Sequence, residues 1–263
     1  MSGKSIRYSQ EDDNSRYEGI IFDQEHIETY LKTKVSTKYN DVEGTQVLVD
    51  DFSSIEKTGF TKDILEEVFS VEPDPKDWKI GECLAECYLE DNHSIRFHYE
   101  SSRDAKNPEG NLHGADIVGF SELNNETVFA FGEVKTSSDK NAPPSVMFGR
   151  SGMICQLENI KDENSIKELL IRWLAFKVLG RENSNPFRKD FINAYETYFK
   201  SKKKKLKLIG ILIRDTDPNV KDLKTRYENF IRKKDPEMFL SLSAIYIPLQ
   251  IDNLIDYLKK EEE

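Results

Sequence analysis

The sequence predicts an α/β protein of three layers, a mixed central sheet flanked by helices and preceded by an N-terminal extension. Two observations carry that prediction. Residues 115–120 and 127–135 are apolar runs joined by Asn124-Asn125, which reads as a hairpin. Beyond them, helical and strand patterns alternate to the end of the chain, as layered α/β folds require.

Taken in order, residues 1–45 are polar, with Glu11-Asp12-Asp13 and lysines 32, 34 and 38, and read as weakly structured or appended. Residues 46–49 suggest a short strand, and 61–69 a short helix capped by Thr61. Two prolines in Val71-Glu-Pro-Asp-Pro-Lys76 mark a boundary between an extension or small subdomain, 1–75, and a main domain, 76–263. A helix over 78–90 then precedes strands at 95–99, 115–120 and 127–135, with a polar loop over 101–112. A helix over 151–160 follows. The next, 165–179, stops at Gly180 and carries an apolar stripe of Ile166, Leu169, Leu170, Trp173 and Leu174. Helices over 186–200, 220–233 and 251–259 and strands over 206–213 and 244–249 complete the chain.

With 33% charged and 11% aromatic residues among 263, the composition is that of a well-solvated globular protein. Its apolar runs are too short to span a bilayer, and its first residues lack the apolar stretch of a secretory signal, so a cytoplasmic location is expected. Cys83, Cys87 and Cys155 cannot all pair; the first two share a helix face with Ile80 and Leu84 and read as core. Ser2-Gly3-Lys4-Ser5 resembles the end of a phosphate-binding loop but lacks the preceding strand and glycine, which excludes an ATPase reading. The net charge of −10 is unevenly spread: residues 1–100 hold 11 basic and 23 acidic side chains, and residues 161–210 hold 13 and 6. One acidic and one basic face follow, the basic one suited to phosphates.

The chemistry concentrates in the hairpin. On its second strand Phe129, Phe131, Glu133 and Lys135 share one face, and Val128, Ala130, Gly132 and Val134 the other. Glu133 and Lys135 thus emerge together at the end of a buried strand, where burial is costly unless they pair or coordinate. Asp116 on the neighbouring strand can approach Glu133. Two carboxylates would hold Mg²⁺ or Mn²⁺, and Lys135 would orient water or stabilise developing negative charge.

Helix, strand, Gly-Ala-Asp116 strand and Gly132-Glu133-Val134-Lys135 together resemble the PD-(D/E)xK nuclease core. Gly81-Glu82-x-x-Ala85-Glu86, with His113-Gly-Ala-Asp-Ile and Gly-Glu-Val-Lys-Thr136, resembles in particular the HamA nuclease subunits of Hachiman anti-phage defence systems, over about residues 76–250. The resemblance implies a restriction-endonuclease-like core and metal-dependent cleavage of DNA. It places the metal on Asp116, Glu133 and the Val134 carbonyl, and the water-assisting role on Lys135. It also implies a partner helicase, HamB, that restrains the nuclease. Ala115 stands where the superfamily usually has proline.

Further candidates are less specific. Glu82 and Glu86, one turn apart on the helix before the strands, compete as an additional metal ligand; Glu86 is favoured, against a plain acidic stripe that includes Glu90. Gln156 and Arg150 are auxiliary or DNA-binding candidates, Arg150 because it stands in a glycine-flanked loop before a helix. His113 and Lys202–Lys205 are candidate phosphate contacts, with solvated surface as the alternative. A catalytically inactive nuclease fold that binds DNA, or a structural subunit, is the competing functional reading.

Overall fold

The computed structural model describes residues 3–41, 44, 46–47, 77–99 and 114–258. Its strands are β1 (Lys4–Asp12), β2 (Ser15–Phe22), β3 (Ile117–Leu123), β4 (Glu126–Ser137), β5 (Lys207–Arg214) and β6 (Phe239–Tyr246). They form one mixed sheet in the order β1-β2-β6-β5-β4-β3. The inner four are parallel, and the edge strands β1 and β3 are antiparallel to their neighbours.

Strand alternation divides the core. Phe129 and Phe131 of β4, Leu208 and Leu212 of β5, and Leu240 and Leu242 of β6 face one side. There they meet α4 (Met153–Asp162), α5 (Asn164–Val178), α6 (Pro186–Lys200) and α7 (Lys224–Ile231). Ala130, Val134, Ile209, Ile211 and Ile213 face the other side. That side is covered by α1 (Gln24–Tyr30), a π-helical turn at Leu31–Val35, α2 (Ser36–Tyr39) and α3 (Asp77–His93).

Local chemistry sets the ends of these elements. Asn124 and Asn125 both have positive φ, 52° and 63°, which fits the right-handed twist of a two-residue hairpin. Asn185 caps α6 by accepting from the Phe187 and Arg188 amides at 3.0 and 3.3 Å, and Pro186 supplies the first helical φ. Gly180, at φ +79°, follows the end of α5.

Several expectations change. Residues 4–39 are not weakly structured: they form β1, β2 and a helical run, and the sheet takes strands from both sides of the expected boundary at 75/76. The edge strand β1 is largely exposed, so its polar composition hides a strand. Residues 95–99 contribute one bridge, Arg96 to Phe120, in place of a strand. The last strand begins at Phe239, five residues before the expected start. The expected helices at 220–233 and 251–259 become a 3-10 turn, Val220–Asp222, followed by α7, and a 3-10 segment, Ile251–Tyr257. Gln46 and Val47 are helical where a strand was expected. The candidate helix at 61–69, the proline-rich boundary, the loop over 101–112 and His113 lie outside the described residues. Among the described residues no helix is long and apolar enough to cross a membrane.

Lys207 opens β5 almost fully buried, its ammonium 3.2 Å from Ser121 Oγ and 5.7 Å from the Phe239 ring centre. Burial and the nearby Arg16 charge lower its pKa to about 8. Between that value and the ordinary lysine range the unfolded chain binds more protons than the fold, so stability rises with pH. Below about 8 the full penalty applies. Lys207→Met should therefore be more stable than wild type at pH 7, with the difference shrinking as pH rises towards 10; denaturant melts across that range measure it.

Candidate active site

β4 lies between β3 and β5 and is buried on both faces up to Val134. Gly132 lets it pack there: a Cβ at this position would stand 2.1 Å from the Ile209 carbonyl oxygen of β5. In the next position, Glu133 projects from the same face as Phe131 at the end of the apolar stretch.

The hairpin register sets Ile117 opposite Gly132, which brings Asp116 to Glu133. The Asp116 amide donates to the Gly132 carbonyl at 2.9 Å, and the Val134 amide donates to Asp116 Oδ2, also at 2.9 Å. Lys135 Nζ donates to Glu133 Oε1 at 2.6 Å. Thus the structure brings together three of the residues picked from sequence, Asp116, Glu133 and Lys135, around the Val134 peptide.

The electrostatics follow from burial. Desolvation, then the Asp116 carboxylate, pushes Glu133 up to about 7, with Lys135 opposing both. Asp116 is also raised by desolvation but is held back by the Val134 amide. The better-solvated charge therefore belongs on Asp116, and the shared proton on Glu133.

Glu82, from α3, faces this pair. Its carboxyl is pushed up to about 9, first by burial and then by Asp116, Glu86 and Glu133. Glu86, favoured from the sequence as the helix carboxylate at the metal, has another partner. Glu86 is buried and bonded to Lys38 Nζ at 3.0 Å, and Lys38 also holds Glu90 at 3.1 Å. One helical turn separates two different environments: Glu82 looks towards the strands, Glu86 towards α2.

Of the auxiliary residues, Gln156 donates to the Arg150 carbonyl at 3.0 Å, which ties α4 to the preceding loop. Arg150 itself is exposed in that turn. Cys83 and Cys87 are buried core residues with free thiols.

The donor set suits a hard divalent cation. Asp116 and Glu133 provide adjacent carboxylates, and Mg²⁺ commonly uses only one or two of these and completes its shell with water and phosphate oxygens. Among the described residues no group of three or more His, Cys, Asp or Glu side chains is placed to hold a metal.

One polar constellation was missed. Arg214, fully buried at the carboxyl end of β5, faces Asp222 at 3.2 Å, and Asp222 accepts from Tyr246 at 2.8 Å. A cavity of about 690 Å³, lined in part by Phe22, Lys140, Arg214 and Tyr246, lies there. The available signal was an arginine closing an otherwise apolar strand.

Fold and site together define an α/β protein with two carboxylates and a lysine converging at the end of a central strand. No family model matches the chain, and no curated protein matches it.

Two substitutions test this account. Gly132→Ala should destabilise the fold by about 1–3 kcal/mol or more, because β5 backbone must move; chemical denaturation measures it. For Glu82, the folded carboxyl keeps its proton up to about pH 9 while the unfolded one loses it near the ordinary carboxylate value, so this group's contribution falls as pH rises between them. Glu82→Gln should melt a few degrees above wild type at pH 8 in EDTA, with the two proteins converging near pH 4.

Proposed function

We propose that this chain is a metal-dependent DNA endonuclease of the PD-(D/E)xK type, acting as the effector of an anti-phage complex of the Hachiman kind under control of a partner helicase. The observation that carries this reading is the convergence of Asp116, Glu133 and Lys135 on the Val134 peptide. A structural ion pair would account for Glu133 and Lys135 alone. It gives no reason for a second desolvated carboxylate beside them.

In this reading Asp116 and Glu133 would hold Mg²⁺ or Mn²⁺, with the Val134 carbonyl as the third donor that the nuclease resemblance implies. The ion would supply charge neutralisation at the scissile phosphate and a more acidic water. Glu133 must give up its proton for this arrangement, and the bond from the Val134 amide favours the charged form of Asp116. Lys135, now 2.6 Å from Glu133, can turn its ammonium to the attacking water or to the phosphate oxygen that gains charge. Glu82 feels the pair's charges, which add to burial in holding its own proton.

A cytoplasmic protein restrained by a partner fits the acidic first hundred residues and the net charge of −10, which disfavour tight autonomous DNA binding at physiological salt. The second reading, a nuclease-fold module that binds DNA without cutting it, draws on the Lys135–Glu133 pair, which occupies both groups with each other.

Incubation with plasmid and single-stranded DNA, alone and with a candidate helicase, separates the two. Cleavage should require Mg²⁺ or Mn²⁺, stop in EDTA, and fall by about 100- to 1000-fold in Glu133→Ala or Lys135→Ala. Cutting that survives chelation, or that is unchanged in the double variant, removes the mechanism; binding without cutting under every condition favours the module.

A further inference from the structure

The helical hairpin α5–α6 carries a second apolar stripe that the core does not use. On α5 the buried face is Leu170, Ile171, Leu174 and Val178, while Leu169 and Phe176 point outward, 51% and 59% exposed. On α6, Phe187, Ala194 and Tyr198 are buried, while Ile192, Tyr195 and Phe199 point outward at 50%, 49% and 71%. Spacings of seven on α5 and of three and four on α6 keep each set on one helix face. The Lys203–Glu168 ion pair, 2.7 Å, draws the chain just past α6 to the start of α5.

This apolar surface is set among cations. Residues 164–205 carry eleven basic and four acidic side chains, a balance of +7. Adding Asp235 and Glu126, which pair with Lys204 and Lys205, still leaves +5. Arg172 stands 5.4 Å from the Phe176 ring centre and Lys177 stands 5.3 Å from that of Trp173, so cations and rings interleave. A second copy of this chain would set one net positive segment against another. A protein helix would need a dense acidic face around an apolar one. A single strand of DNA offers flat apolar bases and one regularly spaced negative charge per nucleotide, which matches both features at once.

We propose that the outer face of α5–α6 is a binding platform for single-stranded DNA, with bases stacked on Phe176, Tyr195 and Phe199 and the backbone met by Arg172, Lys189 and Lys202. The inner face of the same helix reaches towards the carboxylates: Gly114, two residues before Asp116, lies against Ile166 and Leu170 of α5. The inference deepens the nuclease reading and rests on it for its purpose, but the binding can be measured without cleavage.

The test is fluorescence anisotropy of a labelled oligothymidylate of about 20 nucleotides and of a duplex of equal length, in EDTA, at low and at physiological salt. Wild type should bind the single strand in preference to the duplex, and Phe176→Ala/Phe199→Ala should weaken the single strand at least about tenfold. Lys189→Glu/Lys202→Glu should weaken it and flatten its salt dependence. Both pairs are exposed, and an unchanged thermal melt checks the fold. No oligonucleotide binding, equal binding by the aromatic variant, or loss of self-association in that variant with DNA binding intact would each overturn the platform. The nuclease reading is judged separately, from Mg²⁺-dependent cutting by wild type and its loss in Glu133→Ala.

Discussion

Burial of β4 on both faces governs where charge can stand in this protein. From Val128 to Gly132 the strand itself carries no polar side chain: Phe129 and Phe131 fill one core and Ala130 lies in the other. Each buried phenylalanine contributes roughly 1.5–3 kcal/mol, so the strand is anchored well before its end. Glu133 and Lys135 lie where that anchoring stops, and the hairpin delivers Asp116 opposite them. Pairing of Lys135 with Glu133 and of the Val134 amide with Asp116 offsets part of the desolvation. What remains uncompensated is expressed at Glu133, whose carboxyl is pushed up to about 7.

Periodicity exposed the elements whose residues obey a single rule. The hairpin, α6 and the buried β5 were legible because every second or every third and fourth residue repeats one environment. β6 was misread at its start because Ser241 and Ser243 are fully buried yet polar. Arg16 bonds Ser241 and Glu18 bonds Ser243, so the sheet satisfies hydroxyls that a sequence pattern assigns to solvent. The N-terminal strands were hidden for the opposite reason. β1 is an exposed edge, and its composition records water on one side and a partner strand on the other.

At the site, residue types were more legible than rotation. Asp, Glu and Lys at their spacing located the cluster, but the choice between Glu82 and Glu86 depends on Lys38, which is 48 residues away in sequence from Glu86. No local pattern on α3 contains that information. The outward stripe on α5 shows the same limit: Leu169 belongs by spacing to the apolar set, and only the position of the sheet decides that Leu170 faces it instead.

The Lys38–Glu86 contact therefore acts as an axial stop for α3. A helix free to slide by one turn would exchange Glu82 and Glu86 in their environments. With Glu86 and Glu90 both clamped to one ammonium, the position of α3 along its axis is set by the N-terminal layer. The first forty residues, two strands and a helical run that read as an appendage, are thereby the part of the chain that holds the acidic helix in register with β4.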